Sequence, residues 1–230
     1  MIFNAVLFDL DYTLFDSETS ERDALNLTLF ENGITPTETT IQEYKAINLA
    51  LWNLLEKEKI DLEYLRVNRF EQLLDKLDER KDAQTLADTY TTNLGRCGGF
   101  YSGVKDLLEI LNGKILLGIV TNGVSKTQRL RLGIHDFEKY FDAIVVSGEF
   151  GSPKPNPAIF NEALRLLGIT SSKNVVMVGD SLSSDMEGAR NSGLTSCWIN
   201  QATDVDLSKV AVDYHIQSLD QLFEILGIPA

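Results

Sequence analysis

Cysteine is scarce in this chain: Cys97 and Cys197 are the only two among 230 residues, and they form no CxxC or metal-type spacing. A disulfide framework is not expected, and a reducing cytoplasm is the compartment that fits. Basic residues are also few, 21 Lys and Arg against 34 Asp and Glu, for a formal net charge of −13. Broad contact with a nucleic acid polymer or an anionic membrane needs clustered cations, so both are excluded as partners. A small phosphorylated metabolite is not, because a metal and one or two cations can meet its charge locally. No apolar run approaches the ~20 residues of a membrane span. The opening MIFNAVLFDLDYTLFD has no basic stretch ahead of its apolar residues and so is not a signal peptide. Internal repeats and low-complexity tracts are absent.

What is present is ordinary globular composition, 43% apolar and 24% charged. The length suits one large domain or a domain carrying an insertion. Two textures divide the chain. Residues 3–9, and everything from about 100 onward, alternate short apolar runs with helical patterns. The runs are KILLGIVT (114–121), AIVVS (143–147), NVVMVGD (174–180), LTSCWI (194–199) and a weaker YHI (214–216). Continuous runs of this kind read as strands buried on both faces, and the helices between them predict a doubly wound α/β layer. Residues 17–96 carry no such run. They predict four helices, with a stop at Asn32-Gly33 and starts at Thr37 and Asp61. The expected division is therefore a Rossmann-like core of residues 1–16 and 97–230, with an α-helical, four-helix-bundle cap inserted at 17–96. The Gly-rich GRCGGFYSG (95–103) reads as the return hinge.

Polar chemistry collects where the predicted strands end. Asp9 and Asp11 follow the first strand, Thr121-Asn122-Gly123 ends the second, Lys154 in GSPKPNP follows the third, and Asp180 and Asp185 in GDSLSSD follow the fourth. Ligands of open α/β sheets bind at that edge. Converging carboxylates repel one another unless a hard cation sits among them, and Mg²⁺ prefers such oxygen ligands. One aspartate is then free to act as a nucleophile, and a second can move the proton. A threonine hydroxyl, backbone amides and a lysine can hold phosphoryl oxygens as charge develops. Singly, each residue has a plainer reading. Asp180 could cap a helix, Thr121-Asn122-Gly123 could be a simple turn, and Lys154 could be a solvated loop lysine. Those readings leave unexplained why all four fall at one sheet edge.

Taken in order, DLDYT, IVTNG, SPKPNP and GDSLSSD resemble the four motifs of the haloacid-dehalogenase-like hydrolase superfamily, and the resemblance covers the whole chain. It implies Asp9 as nucleophile and metal ligand, and Asp11 as general acid/base with its carbonyl on the metal. It implies Thr121, helped by Asn122, as phosphate holder, and Lys154 as the cation that neutralises Asp9 and the phosphoryl group. Asp180 is implied as a direct metal ligand and Asp185 as one acting through water. The implied cofactor is Mg²⁺, with Mn²⁺ a possible substitute. Dehalogenases of the superfamily lack a carboxylate at the position of Asp11, so phosphoryl transfer is the expected reaction. Tyr12 departs from the pattern, since many members carry Gly there.

The cap segments YKAINLALW and YLRVNRFEQLL, with LFDLDYTLFD and GLTSCWIN, resemble the noncanonical pyrimidine nucleotidases within that superfamily. The expected substrate is a nucleoside monophosphate, with Asn48, Trp52, Arg69 and Phe70 as candidate contacts to the nucleoside. The competing reading makes Trp52 and Phe70 cap core and Arg69 a solvated stem. A sugar-phosphate phosphatase or phosphomutase is the alternative activity, and a non-catalytic phospholigand-binding protein the alternative class. The intact set of catalytic residues speaks against the last.

Overall fold

The computed structural model describes residues 3–201 and 211–229. Six parallel strands form one sheet: β1 (Ala5–Phe8), β2 (Leu116–Thr121), β3 (Ala143–Val146), β4 (Val175–Gly179), β5 (Thr195–Ile199) and β6 (Tyr214–Ile216), in the order β3-β2-β1-β4-β5-β6. Each apolar run read from the sequence is a strand, and β1 lies at the centre, paired with β2 and β4. Its side chains alternate between faces. Ala5 and Leu7 pack with Val120, Val145, Val175 and Met177 against Ile159, Phe160 and Ala163. Those last three belong to the helix Pro157–Leu166. All four β1 residues are fully buried, as a central strand covered on both faces requires.

The chain divides into two compact units, residues 1–16, 100–122 and 136–230, and residues 17–99 with 123–135. The first is the α/β unit. The second holds the helices α1 (Ser17–Glu31), α2 (Glu38–Glu56), α3 (Leu62–Leu77) and α4 (Ala83–Arg96). Their ends follow from local chemistry. Gly33 adopts φ 71° and Ile34 N donates to Leu29 O, closing α1 as the Asn-Gly pair suggests. Thr37, Asp61 and Asp82 cap the next three helices by accepting from Thr40 N, Tyr64 N and Thr85 N. Tyr44, Leu51, Leu55, Leu65, Phe70, Leu73, Leu86 and Tyr90 form the core of this unit.

One helix groups differently from the sequence reading, which placed everything after residue 96 with the core. The helix α6 (Ser125–Ile134), which comes after α5 (Val104–Leu111), belongs to the helical unit. Thr127 Oγ1 donates to Thr91 O at 3.0 Å, and Arg131 donates to Leu94 O at 3.2 Å and to Ser20 Oγ at 3.1 Å. Thr127, Gln128 and Arg131 are all buried. The polar ends of Thr127 and Arg131 bond to α4 and α1, while Gln128 Oε1 accepts from Arg131 within α6, so hydrogen bonds join α6 to its neighbours. No described helix is long and apolar enough to cross a membrane. Both cysteines are free thiols, and Cys197 is a buried residue of β5.

Candidate active site

The C-terminal ends of β1, β2 and β4, and the loop after β3, deliver the polar residues of the α/β unit. Asp9 leaves β1 while its N–H still bonds Val178 O across to β4, so its backbone is held by the sheet. Lys154 sits in the loop between a short helix (Ser147–Phe150) and the helix Pro157–Leu166, and it is 1% exposed. Its ammonium lies 2.6 Å from Asp9 Oδ1 and 2.6 Å from Asp185 Oδ1. Lys154 is therefore no solvated loop residue.

Asp185 is fully buried and uses both oxygens, the second accepting from Ser181 N at 3.0 Å. It comes from a π-helical turn, Leu182–Met186, and packs so tightly on β4 that a Cβ at Gly179 would lie 2.3 Å from its Oδ2. Gly179 is the residue that lets this carboxylate close in. Asp180 is not the cap of that turn, because Ser181 Oγ takes the role by accepting from Ser184 N at 3.2 Å. Its carboxylate instead faces the cluster, with Thr13 Oγ1 donating to Asp180 Oδ1 at 3.4 Å.

Oxygens of Asp9, Asp180 and Asp185 lie within 4.8 Å of one another. Three carboxylates so close are held together at a cost, which the ionisation equilibria record. Burial pushes Asp9 well above the ordinary carboxylate range; Lys154 opposes this, while Asp185, Asp180 and Asp11 add to it. Asp180 is pushed up to about 7, by burial first and the Asp185 charge second. Burial disfavours the Lys154 charge, yet Asp185 and Asp9 outweigh it and hold the ammonium above its usual range. An all-oxygen, net-negative donor set with one lysine is what a hard divalent cation binds. The residues present fit Mg²⁺.

Thr121, at the end of β2, is fully buried. Asn122 next to it uses its side chain on the Lys154 main chain, accepting from Lys154 N at 2.8 Å and donating to Lys154 O at 3.0 Å. Asp11 is half-buried and bridges to Phe15 in the turn after β1. Tyr12 in that turn has φ 60° and is 43% exposed. The left-handed backbone explains why glycine suits this position, and tyrosine there costs roughly 1 kcal/mol or more. Thr13 and Trp198 are contributors the sequence reading did not single out. The threonine of DLDYT could have been found from its motif, whereas nothing in the sequence pointed to the Trp198 indole, which donates to Asp180 O at 2.7 Å.

Within the helical unit, Phe70 is fully buried and Trp52 half-buried against the core. Arg69 is 3% exposed, so the solvated-stem reading does not hold. Its guanidinium carbon lies 4.6 Å from the Tyr90 ring centroid, 5.5 Å from Phe70 and 6.0 Å from Tyr44. Nη1 reaches Asn48 Oδ1 at 3.4 Å, and Nε has no hydrogen-bond partner among the described residues. The structure thus brings Asn48, Arg69 and Phe70 together in one cluster.

Residues 6–199 match the haloacid dehalogenase-like hydrolase family. The chain belongs to that family. It is 32% identical to Bacillus subtilis YfnB, described as a HAD-hydrolase, over 98% of this chain and 96% of the relative. A solved structure of YfnB bound to magnesium superimposes with TM-score 0.91, covering 98% of this chain and 99% of that one. The pyrimidine 5′-nucleotidase YjjG of Escherichia coli is 32% identical, over 98% of this chain and 99% of its own length. The pyrimidine 5′-nucleotidase PynA of Streptococcus pneumoniae is 30% identical, over 98% and 96%. As a family member the chain is a hydrolase whose six-stranded parallel core is the family's Rossmann-like fold.

Proposed function

We propose that this enzyme is a Mg²⁺-dependent phosphomonoesterase that releases phosphate from pyrimidine nucleoside 5′-monophosphates in the cytoplasm. The observation that carries the reading is the Lys154 ammonium seated between Asp9 and Asp185, with the Asp180 carboxylate beside them. The names of the two nucleotidase relatives, each matched along nearly its whole length, support the substrate class.

In this reading an Asp9 oxygen attacks phosphorus and the bond to the leaving oxygen breaks, as Asp11 gives that oxygen a proton. Asp11 then takes a proton from water, which attacks the aspartyl-phosphate, frees inorganic phosphate and regenerates Asp9. Thr121 and Lys154, with the backbone amide of Asn122, hold the non-bridging oxygens as negative charge builds on them. Asp9, Asp180, the Asp11 carbonyl and, through water, Asp185 would hold Mg²⁺ or Mn²⁺. The cation supplies charge neutralisation between the Asp9 carboxylate and the phosphoryl group. The helical unit acts as the cap and selects the leaving group, with Asn48, Trp52 and Arg69 as its candidate contacts and Phe70 in its core.

Phosphate release from a panel of nucleotides and sugar phosphates tests the reading. UMP, dUMP and dTMP are expected to be hydrolysed faster than purine nucleotides, since a pocket shaped for one ring fits two rings less well. Sugar phosphates outrunning every nucleotide would replace the nucleotidase reading with a sugar-phosphate phosphatase.

A further inference from the structure

Asp180 is the first residue beyond β4, where the chain leaves the sheet and its carbonyl is about to lose a strand partner. The Trp198 side chain supplies one. Trp198 stands on β5 in register with Gly179, and its indole Nε1–H donates to Asp180 O at 2.7 Å. The indole is itself held. On β6, His215 is in register with Trp198, and the two rings lie 5.0 Å apart at 31°. His215 Nε2 in turn lies 3.1 Å from Asn200 O. Trp198 is nearly fully buried, so water does not replace the bond freely. The opposite end of Asp180 is located by Thr13, which donates to the carboxylate. Asp180 is thus fixed twice, at its main chain by Trp198 and at its side chain by Thr13.

We propose that Trp198 is a positioning residue for the cation site: its indole N–H holds the Asp180 peptide so that the carboxylate meets those of Asp9 and Asp185. The inference rests on the reading of these carboxylates as cation ligands. It assigns to Trp198 of β5 a part in metal binding that neither the motifs nor the donor set reveals. Partners that orient a ligating group act on affinity for the ion, and their loss lowers it by about 10-fold or more. A tryptophan that only fills space would affect stability instead.

Two replacements separate these roles. Trp198→Phe removes the N–H and part of the ring. Incorporation of 3-benzothienylalanine at position 198 keeps the ring shape and replaces only the N–H by sulfur. Binding is read on metal-stripped protein by electron paramagnetic resonance of free Mn²⁺, with Mg²⁺ by competition, alongside thermal melting. The expected result for both replacements is a dissociation constant raised about 10-fold, with the melting temperature of the benzothienyl protein unchanged. Wild-type Mn²⁺ affinity in the benzothienyl protein overturns the inference, whether or not Trp198→Phe folds. An unmodified protein that binds neither ion overturns the inference and the cation reading together. Normal ion binding in a protein inactive on every nucleotide defeats only the nucleotidase reading.

Discussion

The Asn122 side chain brackets the main chain of Lys154, accepting from its N–H at 2.8 Å and donating to its carbonyl at 3.0 Å. Two strand ends are thereby locked together: the residue after β2 fixes the loop that carries the buried lysine. Asn122→Ala leaves both backbone groups of a buried residue without their partner, costing about 1–3 kcal/mol of stability. We expect kcat to fall about 10-fold or more, because a small misplacement of the ammonium disrupts the reacting geometry. The chemical step measured under single turnover, together with a urea melt, checks both effects. Unchanged turnover would show that the lysine holds its place without Asn122.

Asp9→Asn and Asp11→Asn should each lower phosphate release by at least about 10²-fold, roughly 3 kcal/mol in barrier. The first removes the attacking oxygen and the second the proton donor. Acid-quench trapping of phosphorylated protein distinguishes them, since only Asp9→Asn removes the attachment point. Full activity in Asp9→Asn would sink the covalent mechanism.

Asp180, raised from 3.8 to about 7, and Asp9, raised in the same direction, hold protons in the folded protein that the unfolded chain has already released. Between about pH 4 and 7 the native state binds more protons, so stability must fall as pH rises through that window. The metal-stripped protein is therefore expected to melt several degrees higher near pH 5.5 than near pH 7.5. A saturating divalent cation competes with those protons and should raise the pH 7.5 melting temperature more than the pH 5.5 one. Calorimetry with and without Mg²⁺ checks this; a metal-free melting temperature that climbs with pH contradicts it.

Arg69 and Phe70 adjoin in sequence and should behave oppositely. Phe70→Ala opens a hole among Tyr44, Tyr90 and the leucines of the helical core, so a loss of about 3–5 kcal/mol is expected. Arg69→Met keeps the stem and removes a buried charge that has no carboxylate partner among the described residues, which should leave stability unchanged or raised. If Arg69 reads the leaving group, kcat/KM for UMP drops about 10-fold or more while that for p-nitrophenyl phosphate holds. Parallel losses on both substrates would remove Arg69 from leaving-group selection.

The strands were legible because a sheet covered on both faces demands unbroken apolar runs, as in AVLF and VVMVG. The helix starts at Thr37 and Asp61 were legible because capping is local chemistry. Asp9, Lys154, Asp180 and Asp185 were singled out from strand ends, and the structure gathers them. What stayed hidden depends on contacts with no sequence period. Thr127 and Arg131 look like the wet side of α6, but they are buried because helical carbonyls and Ser20 accept their hydrogen bonds. Trp198 looked like one more apolar residue of a strand, and only its pairing with Asp180 O exposes its polar end.

The allegiance of α6 means that the helical unit is not a simple insert. The chain passes between the units at residues 16–17, 99–100, 122–123 and 135–136, and the third passage falls directly after Thr121-Asn122. Anyone transplanting the cap of a relative onto this core by exchanging only residues 17–99 would leave α6 behind. Arg131 would lose Ser20 and Leu94, and Thr127 would lose Thr91. Leu130, whose Cδ2 would lie 2.8 Å from a Cβ at Gly95, would face a surface that no longer has a glycine cut to receive it. A workable chimaera therefore has to carry two segments, 17–99 and 123–135, as one interchangeable part.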